Sequence, residues 1–180
     1  MMGMHMPSGW KNMSDPKLSV KDVAYLGVSL AILEASKLAL DLLPNIEVIT
    51  LLFIVYTIFY GRKTILVAIG FTAMECFLKG VNVWSIMYLY IWPLLIIIVC
   101  YASKHKAGYV FYCILSGFFG LFFGMFCSIP YLFIGGWPMA VTWWVAGIPY
   151  DIIHCVSNFV LCLMLFKPLC AVMRRVTSNW

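Results

Sequence analysis

The sequence predicts an all-α integral membrane protein, a compact bundle of six transmembrane helices with both termini in the cytoplasm. Three observations lead to that prediction. Hydrophobic residues make up 64% of the 180 residues and charged residues only 11%, whereas soluble domains carry roughly 25% charged residues. The apolar residues fall into runs that approach the roughly 20 residues needed to cross a bilayer. The basic residues fall mainly in every second loop.

Six apolar runs are separated by short stretches, except before the sixth run, where residues 130–148 intervene. The second and third runs are short, so their ends are the least well defined. Nothing between the runs is long enough to be an interdomain linker. The sequence therefore predicts one transmembrane domain, residues 19–176, preceded by a flexible cytoplasmic segment, residues 1–18. The predicted spans are residues 22–42, 46–60, 64–79, 84–102, 108–129 and 149–172.

The basic residues orient these spans. Cytoplasmic loops carry an excess of Lys and Arg, and with a cytoplasmic N-terminus only Lys79 falls near an outer loop. The net charge of +5 therefore reflects orientation, and nucleic-acid binding is not needed to explain it. The basic residues on the predicted cytoplasmic side are Lys11, Lys17, Lys21, Arg62, Lys63, Lys104, Lys106, Arg174 and Arg175.

Two predicted spans carry a stripe of small residues at every fourth position. Small residues at this spacing let two helices approach closely in a membrane. Each stripe is equally suited to packing within the chain and to packing against a partner protein. The stripes are Gly27, Ala31, Ala35 and Ala39 in the first span, and Ser116, Gly120, Gly124 and Ser128 in the fifth.

The sixth predicted span carries Asp151, His154 and Asn158. Their spacings of three and four residues place them on one face of a helix. Polar groups are costly inside a membrane, so they usually face the interior of the bundle or a cavity and are functional by default. The structural alternatives are that Asp151 caps its own helix and that His154 is a hydrogen-bonded core residue.

Further polar and aromatic residues fall at the same, outer level of the predicted bundle. An aromatic cage with a few convergent polar groups is typical of a small-molecule site. The alternatives are charge pairs along one helix and a belt of tryptophans at the membrane interface. Glu75 and Lys79 could pair in the third span, and Glu34, Lys37 and Asp41 in the first. The residues at this level are Asp41, Asn45, Glu47, Glu75, Lys79, Asn82, Trp84, Tyr88, Trp92, Trp137, Trp143, Trp144 and Tyr150.

The stretch 129–148 is predicted to be the least regular part of the chain. It contains two prolines and three glycines, which interrupt a continuous helix. We expect an outer loop there, with a short helix near residues 138–145 that lies across the mouth of the bundle.

Motifs of enzyme and metal sites are absent from the sequence. The segment FYGRKT ends like a phosphate-binding loop, but Tyr56 stands where that loop requires glycine. There is no H-E-x-x-H, no G-x-S-x-G and no C-x-x-C. The sequence therefore predicts no catalytic residues, no metal and no cofactor.

The chain resembles the substrate-binding S components of energy-coupling factor (ECF) vitamin transporters over residues 18–175. The resemblance rests on six spans of this total length with both ends inside. It also rests on the A-x-x-x-A pattern of AILEASKLAL in the first span and on the closing segment GIPYDIIHCVSNFVLCLMLFKPL. It implies a multi-pass protein of a prokaryotic plasma membrane that is not itself an enzyme.

The resemblance also implies a mechanism. Such a chain captures a vitamin or related micronutrient near the outer surface. It releases the solute inside when docked on a transmembrane T component with two ATPases. Riboflavin, thiamine, cobalamin fragments and other heterocycles all remain open as ligands. The implied docking surface is Gly27, Ala31, Ala35 and Ala39, and the predicted substrate-binding residues are Glu47, Glu75, Trp84, Tyr88, Trp137, Trp144, Asp151, His154 and Asn158.

Two other functions fit parts of the sequence. Intramembrane Asp and His commonly relay protons, so Asp151 and His154 would suit an autonomous proton-coupled solute transporter. The same pair is the only support for an integral membrane enzyme that acts on a lipid. Uptake by the chain alone under a pH gradient would favour the proton-coupled transporter.

Overall fold

The computed structural model describes residues 18–43 and 45–178. Every regular element within them is helical, which confirms the all-α prediction. The predicted N-terminal segment, residues 1–18, lies outside the described residues except for Leu18. The helices are Val20–Leu40 (α1), Ile49–Tyr60 (α2), Thr64–Lys79 (α3), Val83–Lys104 (α4), Tyr109–Leu121 (α5) and Phe123–Thr177 (α6), with a 3₁₀ turn at Gly61–Lys63.

Four helical stretches of the described chain are long and apolar enough to cross a membrane. They are compatible with the predicted membrane protein, because a crossing requires about 20 apolar residues. Two of the stretches are much longer than one crossing needs. The four are Val20–Leu40, Ile49–Lys79, Val83–Lys104 and Tyr109–Thr177.

The second stretch folds back on itself at the 3₁₀ turn. The rings of Phe53 in α2 and Phe71 in α3 lie 6.0 Å apart, whereas one continuous helix would separate these residues by about 27 Å. The reversal occurs at Gly61, whose φ of 56° is easily adopted only by glycine. The chain therefore forms two helical segments here.

α6 also folds back on itself. Gly135 and Gly136 leave the helical conformation, and Tyr131 on one side of them stacks on Trp143 on the other, with ring centres 4.9 Å apart. Gly136 has a φ of 71°, which again favours glycine. The first limb of α6 is residues 123–134 and the second limb is residues 137–177.

The prediction that residues 129–148 form an irregular loop is wrong, although the predicted interruption at Gly135 and Gly136 and the helix near residues 138–145 are confirmed. The stretch is helical except at Gly135 and Gly136, and its prolines lie inside the helix. Pro138 falls in the first turn of the second limb. Backbone N–H groups in a first turn form no hydrogen bond within the helix, so proline loses none there. Composition alone predicts a break at each proline. Membrane helices tolerate proline, however, when neighbouring groups form hydrogen bonds with the backbone groups that it leaves unpaired.

Contacts at one end of the bundle bring together the start of α1, the 3₁₀ turn and the end of α6. Lys63 pairs with Asp22 at 2.9 Å, and the Tyr25 hydroxyl donates to the carbonyl of Val176 at 3.1 Å. The end of α4 packs beside the 3₁₀ turn. We call this the basic end, because Arg62, Lys104, Lys106, Arg174 and Arg175 are all exposed there.

The centre of the bundle is α2. Every residue of Ile49–Tyr60 is buried, and the helix packs against α1, α3, α4, α5 and α6. An aromatic cluster joins it to its neighbours, since Trp92 of α4 stacks on Phe53 with ring centres 4.8 Å apart. The start of α2 therefore lies inside the bundle at the end opposite the basic end.

The two stripes of small residues have different surroundings. The stripe on α5 and the first limb is buried against the second limb, and a Cβ added at Gly120 would lie 2.8 Å from the backbone of His154. The stripe on α1 is exposed, and a Cβ added at Gly27 would meet nothing within 4 Å. Packing within the chain therefore accounts for the first of these stripes. All four residues of the α1 stripe are exposed, namely Gly27, Ala31, Ala35 and Ala39.

Candidate functional site

A cavity of about 540 Å³ opens at the end of the bundle opposite the basic end. Its volume falls within the range of small-molecule sites, about 300–1,000 Å³. Five of the predicted binding residues line it, namely Glu47, Glu75, Trp84, Tyr88 and His154. The other lining residues are Lys37, Leu40, Asp41, Leu43, Asn45, Ile46, Ile49, Phe71, Lys79, Asn82, Ser85, Trp92 and Phe123.

Glu47 is fixed at the start of α2. Its carboxylate accepts hydrogen bonds from the backbone N–H of Thr50 at 2.9 Å and from the Thr50 hydroxyl at 2.6 Å. A carboxylate at this position is stabilised by the free N–H groups and dipole of the helix. His154 Nε2 lies 3.1 Å from Glu47 Oε1. The second limb of α6 is thus tied to α2 at the cavity.

A buried ion pair joins α1 to α3 at the cavity. Lys37 pairs with Glu75, whose side chain is only 7% exposed. The Lys37 ammonium also donates to the Tyr88 hydroxyl at 3.1 Å and lies 4.8 Å from the centre of the Tyr88 ring. Glu34 is buried on the same helix as Lys37, and among the described residues it forms no ion pair.

A second pair joins the same two helices nearer the mouth of the cavity. Lys79 lies 3.5 Å from Asp41, and both side chains are largely exposed. The sequence had suggested a pair along α3, between Glu75 and Lys79. In the structure each of these two residues pairs with α1 instead, because α1 and α3 run in parallel. Asp22 pairs with Lys63 where the two helices begin, and Asp41 pairs with Lys79 where they end.

Aromatic side chains form much of the cavity wall. Trp92 lies with its ring centre 5.7 Å from that of Tyr88 and is almost fully buried. Trp84 is 46% exposed and meets Trp143 of the second limb edge-on, with ring centres 6.0 Å apart. The wall therefore offers both a rigid, buried ring and an accessible one.

Four predicted binding residues lie outside the cavity lining. Trp137 is 72% exposed, and Trp144 is half-buried on a different side of the helix from Trp143. Asn158 is buried against α5, where its backbone carbonyl accepts a hydrogen bond from the Ser116 hydroxyl at 3.3 Å. The structure thus does not bring these side chains together with the five that line the cavity.

Asp151, the fourth of these residues, has a structural partner. Its Oδ1 accepts a hydrogen bond from the backbone N–H of Gly124 at 2.9 Å. Gly124 follows the break in helical geometry at Phe122, so its N–H belongs to the first turn of the first limb. Asp151 therefore caps a neighbouring helix, whereas the sequence had suggested a cap on its own helix.

Some lining residues were not among the predicted binding residues, for example Lys37, Phe71 and Phe123. Lys37 could have been found, because a lysine inside a predicted span requires a partner. The sequence suggests partners along the same helix, whereas in the structure its partner is Glu75 of α3. The two phenylalanines carry no signal that separates them from ordinary core residues.

This arrangement is suited to binding, and the described residues include no group of three side chains that could hold a metal ion. The polar groups lie at one open cavity, each fixed by a partner from another element or by a helix end.

No family of proteins with a known sequence model, no curated protein and no solved structure matches the chain.

Proposed function

We propose that the chain is the substrate-binding S component of an ECF-type importer. It crosses a prokaryotic plasma membrane six times, with both termini in the cytoplasm, and captures a vitamin-like micronutrient from outside. The six crossings correspond to α1, α2, α3, α4, α5 with the first limb of α6, and the second limb of α6.

The cavity is the observation that carries this proposal. It opens at one end of the bundle, where Lys79 lies, and five exposed basic residues lie at the other. With the basic end in the cytoplasm, as the excess of Lys and Arg favours, the cavity faces outside. A site at that position can collect a solute before any contact with a motor protein.

The exposed stripe on α1 supports docking on a T component. Ala31, Ala35 and Ala39 present no large side chain on a surface that the rest of the bundle leaves uncovered. Small residues in such a row let a second helix come close, and close packing drives helix association in lipid. The matching stripe on α5 is already covered by the second limb.

The test is reconstitution with and without the motor. The purified chain alone should bind a small molecule from a cell extract without ATP, and binding should raise its unfolding temperature. Uptake into proteoliposomes should require a T component and its ATPases as well. Concentrative uptake by the chain alone, with an imposed pH gradient, would instead identify an autonomous proton-coupled transporter.

The two residues that would relay protons in the proton-coupled transporter, Asp151 and His154, have different partners. His154 contacts Glu47 and Asp151 accepts from Gly124. Asp151→Asn is therefore a specific test. The variant should lose stability through its weakened cap, and its uptake with the complete motor should persist in the fraction that folds. Complete loss of uptake in a folded variant would favour proton coupling.

A further inference from the structure

We infer that the cavity selects a small organic cation, a ring-bearing molecule whose positive charge lies beside Glu47. This rests on the proposed function, since it names the class of solute that the proposed binding subunit captures. Three features of the cavity support it, namely the pairing of its cations, the position of Glu47 and the aromatic wall.

The cations that line the cavity are already paired. Lys37 is held by Glu75 and by the Tyr88 hydroxyl, and Lys79 lies 3.5 Å from Asp41. An anionic ligand would therefore have to separate an existing ion pair before it met a positive charge. For Lys37 this would leave the buried Glu75 uncompensated, which is strongly unfavourable. The exposed pair of Lys79 and Asp41 opposes an anion only weakly.

The acidic groups exceed the lysines. Three carboxylates and two lysines line the cavity, and after the two pairs are formed Glu47 remains. Its charge is held by a helix N-terminus, which supplies only a partial positive charge, and by His154, which supplies a whole one only when it is protonated. Its side chain keeps 20% of its surface exposed. A bound cation would supply the missing charge, where water is partly excluded and attraction is strong.

The aromatic wall already holds a cation. The Lys37 ammonium lies 4.8 Å from the ring centre of Tyr88 and 5.3 Å from that of Phe71, distances at which a ring face attracts positive charge. Trp84, which is 46% exposed, adds a larger accessible ring to the same cavity. Trp92 supports the wall from a buried position, with one face stacked on Phe53. A cationic ring can stack on such faces, and tryptophan provides the strongest attraction of this kind.

The experiment separates ligands by charge. The low-molecular-weight filtrate of yeast extract is divided at neutral pH into molecules retained by a cation-exchange resin, by an anion-exchange resin and by neither. Each fraction is added to the purified full chain in lipid nanodiscs, and thermal unfolding is measured. Stabilisation by the cation-exchange fraction is expected. Stabilisation by either of the other two fractions alone would overturn the inference and leave the proposed function standing. No stabilisation by any fraction would overturn the proposed function itself, and the inference with it.

A charge-neutralising variant locates the contact. Glu47→Gln keeps the shape of the side chain and removes its charge. It should raise the amount of the cation fraction needed for half-maximal stabilisation by about tenfold or more, the ratio that corresponds to about 1.4 kcal/mol. The control is Asp22→Asn, which removes the same charge from an ion pair at the basic end and should leave that amount unchanged. An equal effect of the two variants would overturn the assignment to Glu47.

Discussion

Gly120→Ala tests how the second limb of α6 is placed against the cavity. A Cβ at this position would lie 2.8 Å from the carbonyl carbon and oxygen of His154, whereas ordinary contact begins at 3.4 Å. The two helices would have to separate locally by about 0.6 Å. Because the obstructing atoms are backbone, no side-chain rotation relieves the clash. Overpacking of this kind costs about 1–3 kcal/mol.

Gly27→Ala is the matched control. Both glycines lie within helices, so both variants gain the same helix propensity, about 1 kcal/mol. A Cβ at Gly27 would meet nothing within 4 Å, so the difference between the variants isolates the clash. Unfolding by SDS in mixed micelles, followed by the helical circular dichroism signal, should show Gly120→Ala to be less stable than the control by about 1–3 kcal/mol. A Gly120→Ala variant as stable as Gly27→Ala would refute the close contact between α5 and the second limb.

Three further predictions use the same kind of comparison. Lys37→Met leaves Glu75 buried without its partner and should cost about 3–5 kcal/mol of stability. Lys79→Met breaks an exposed pair and should cost at most about 1 kcal/mol. Equal losses of stability in the SDS titration would contradict the different burial of the two pairs. In a cysteine-free background, Trp137→Cys should react with an impermeant maleimide added outside intact cells and Lys104→Cys should not, and the reverse pattern would overturn the proposed orientation. Ala35→Trp should abolish uptake with the T component while small-molecule binding persists, whereas Ala73→Trp, at an exposed site on α3, should change neither. Loss of binding in Ala35→Trp would mean that the stripe packs within the chain.

The helices could be predicted from the sequence because their signals are local. An apolar run ends where a polar or charged group must reach water, and the predicted span 64–79 coincides with Thr64–Lys79. The breaks were harder to place. Gly61 and Gly136 adopt positive φ, whereas the prolines near residues 129–148 remain helical, and composition alone does not distinguish these cases.

The partners of the charged residues could not be predicted, because they depend on which helices become neighbours. Glu75 and Lys79 are four residues apart, and that spacing suits a pair along one helix. In the folded chain α1 runs in parallel beside α3 and offers Lys37 and Asp41 at the same two levels. Contacts between helices then replace the contact along the helix, and they bring charges from both helices to the cavity.

The polar face of the second limb illustrates why one face does not imply one role. Asp151, His154 and Asn158 share that face, as their spacing predicts, but the face packs mainly against α5 and the first limb. The Asp151 side chain therefore serves a helix contact, and Asn158 is buried where α5 packs. His154 lies level with the start of α2, so its ring reaches Glu47 at 3.1 Å while its backbone rests on Gly120. Asp151 and Asn158, one turn away on the same face, form no hydrogen bond with Glu47. Because Gly120 has no side chain, the backbone of His154 can pack directly against α5. This close packing places the His154 ring at the cavity.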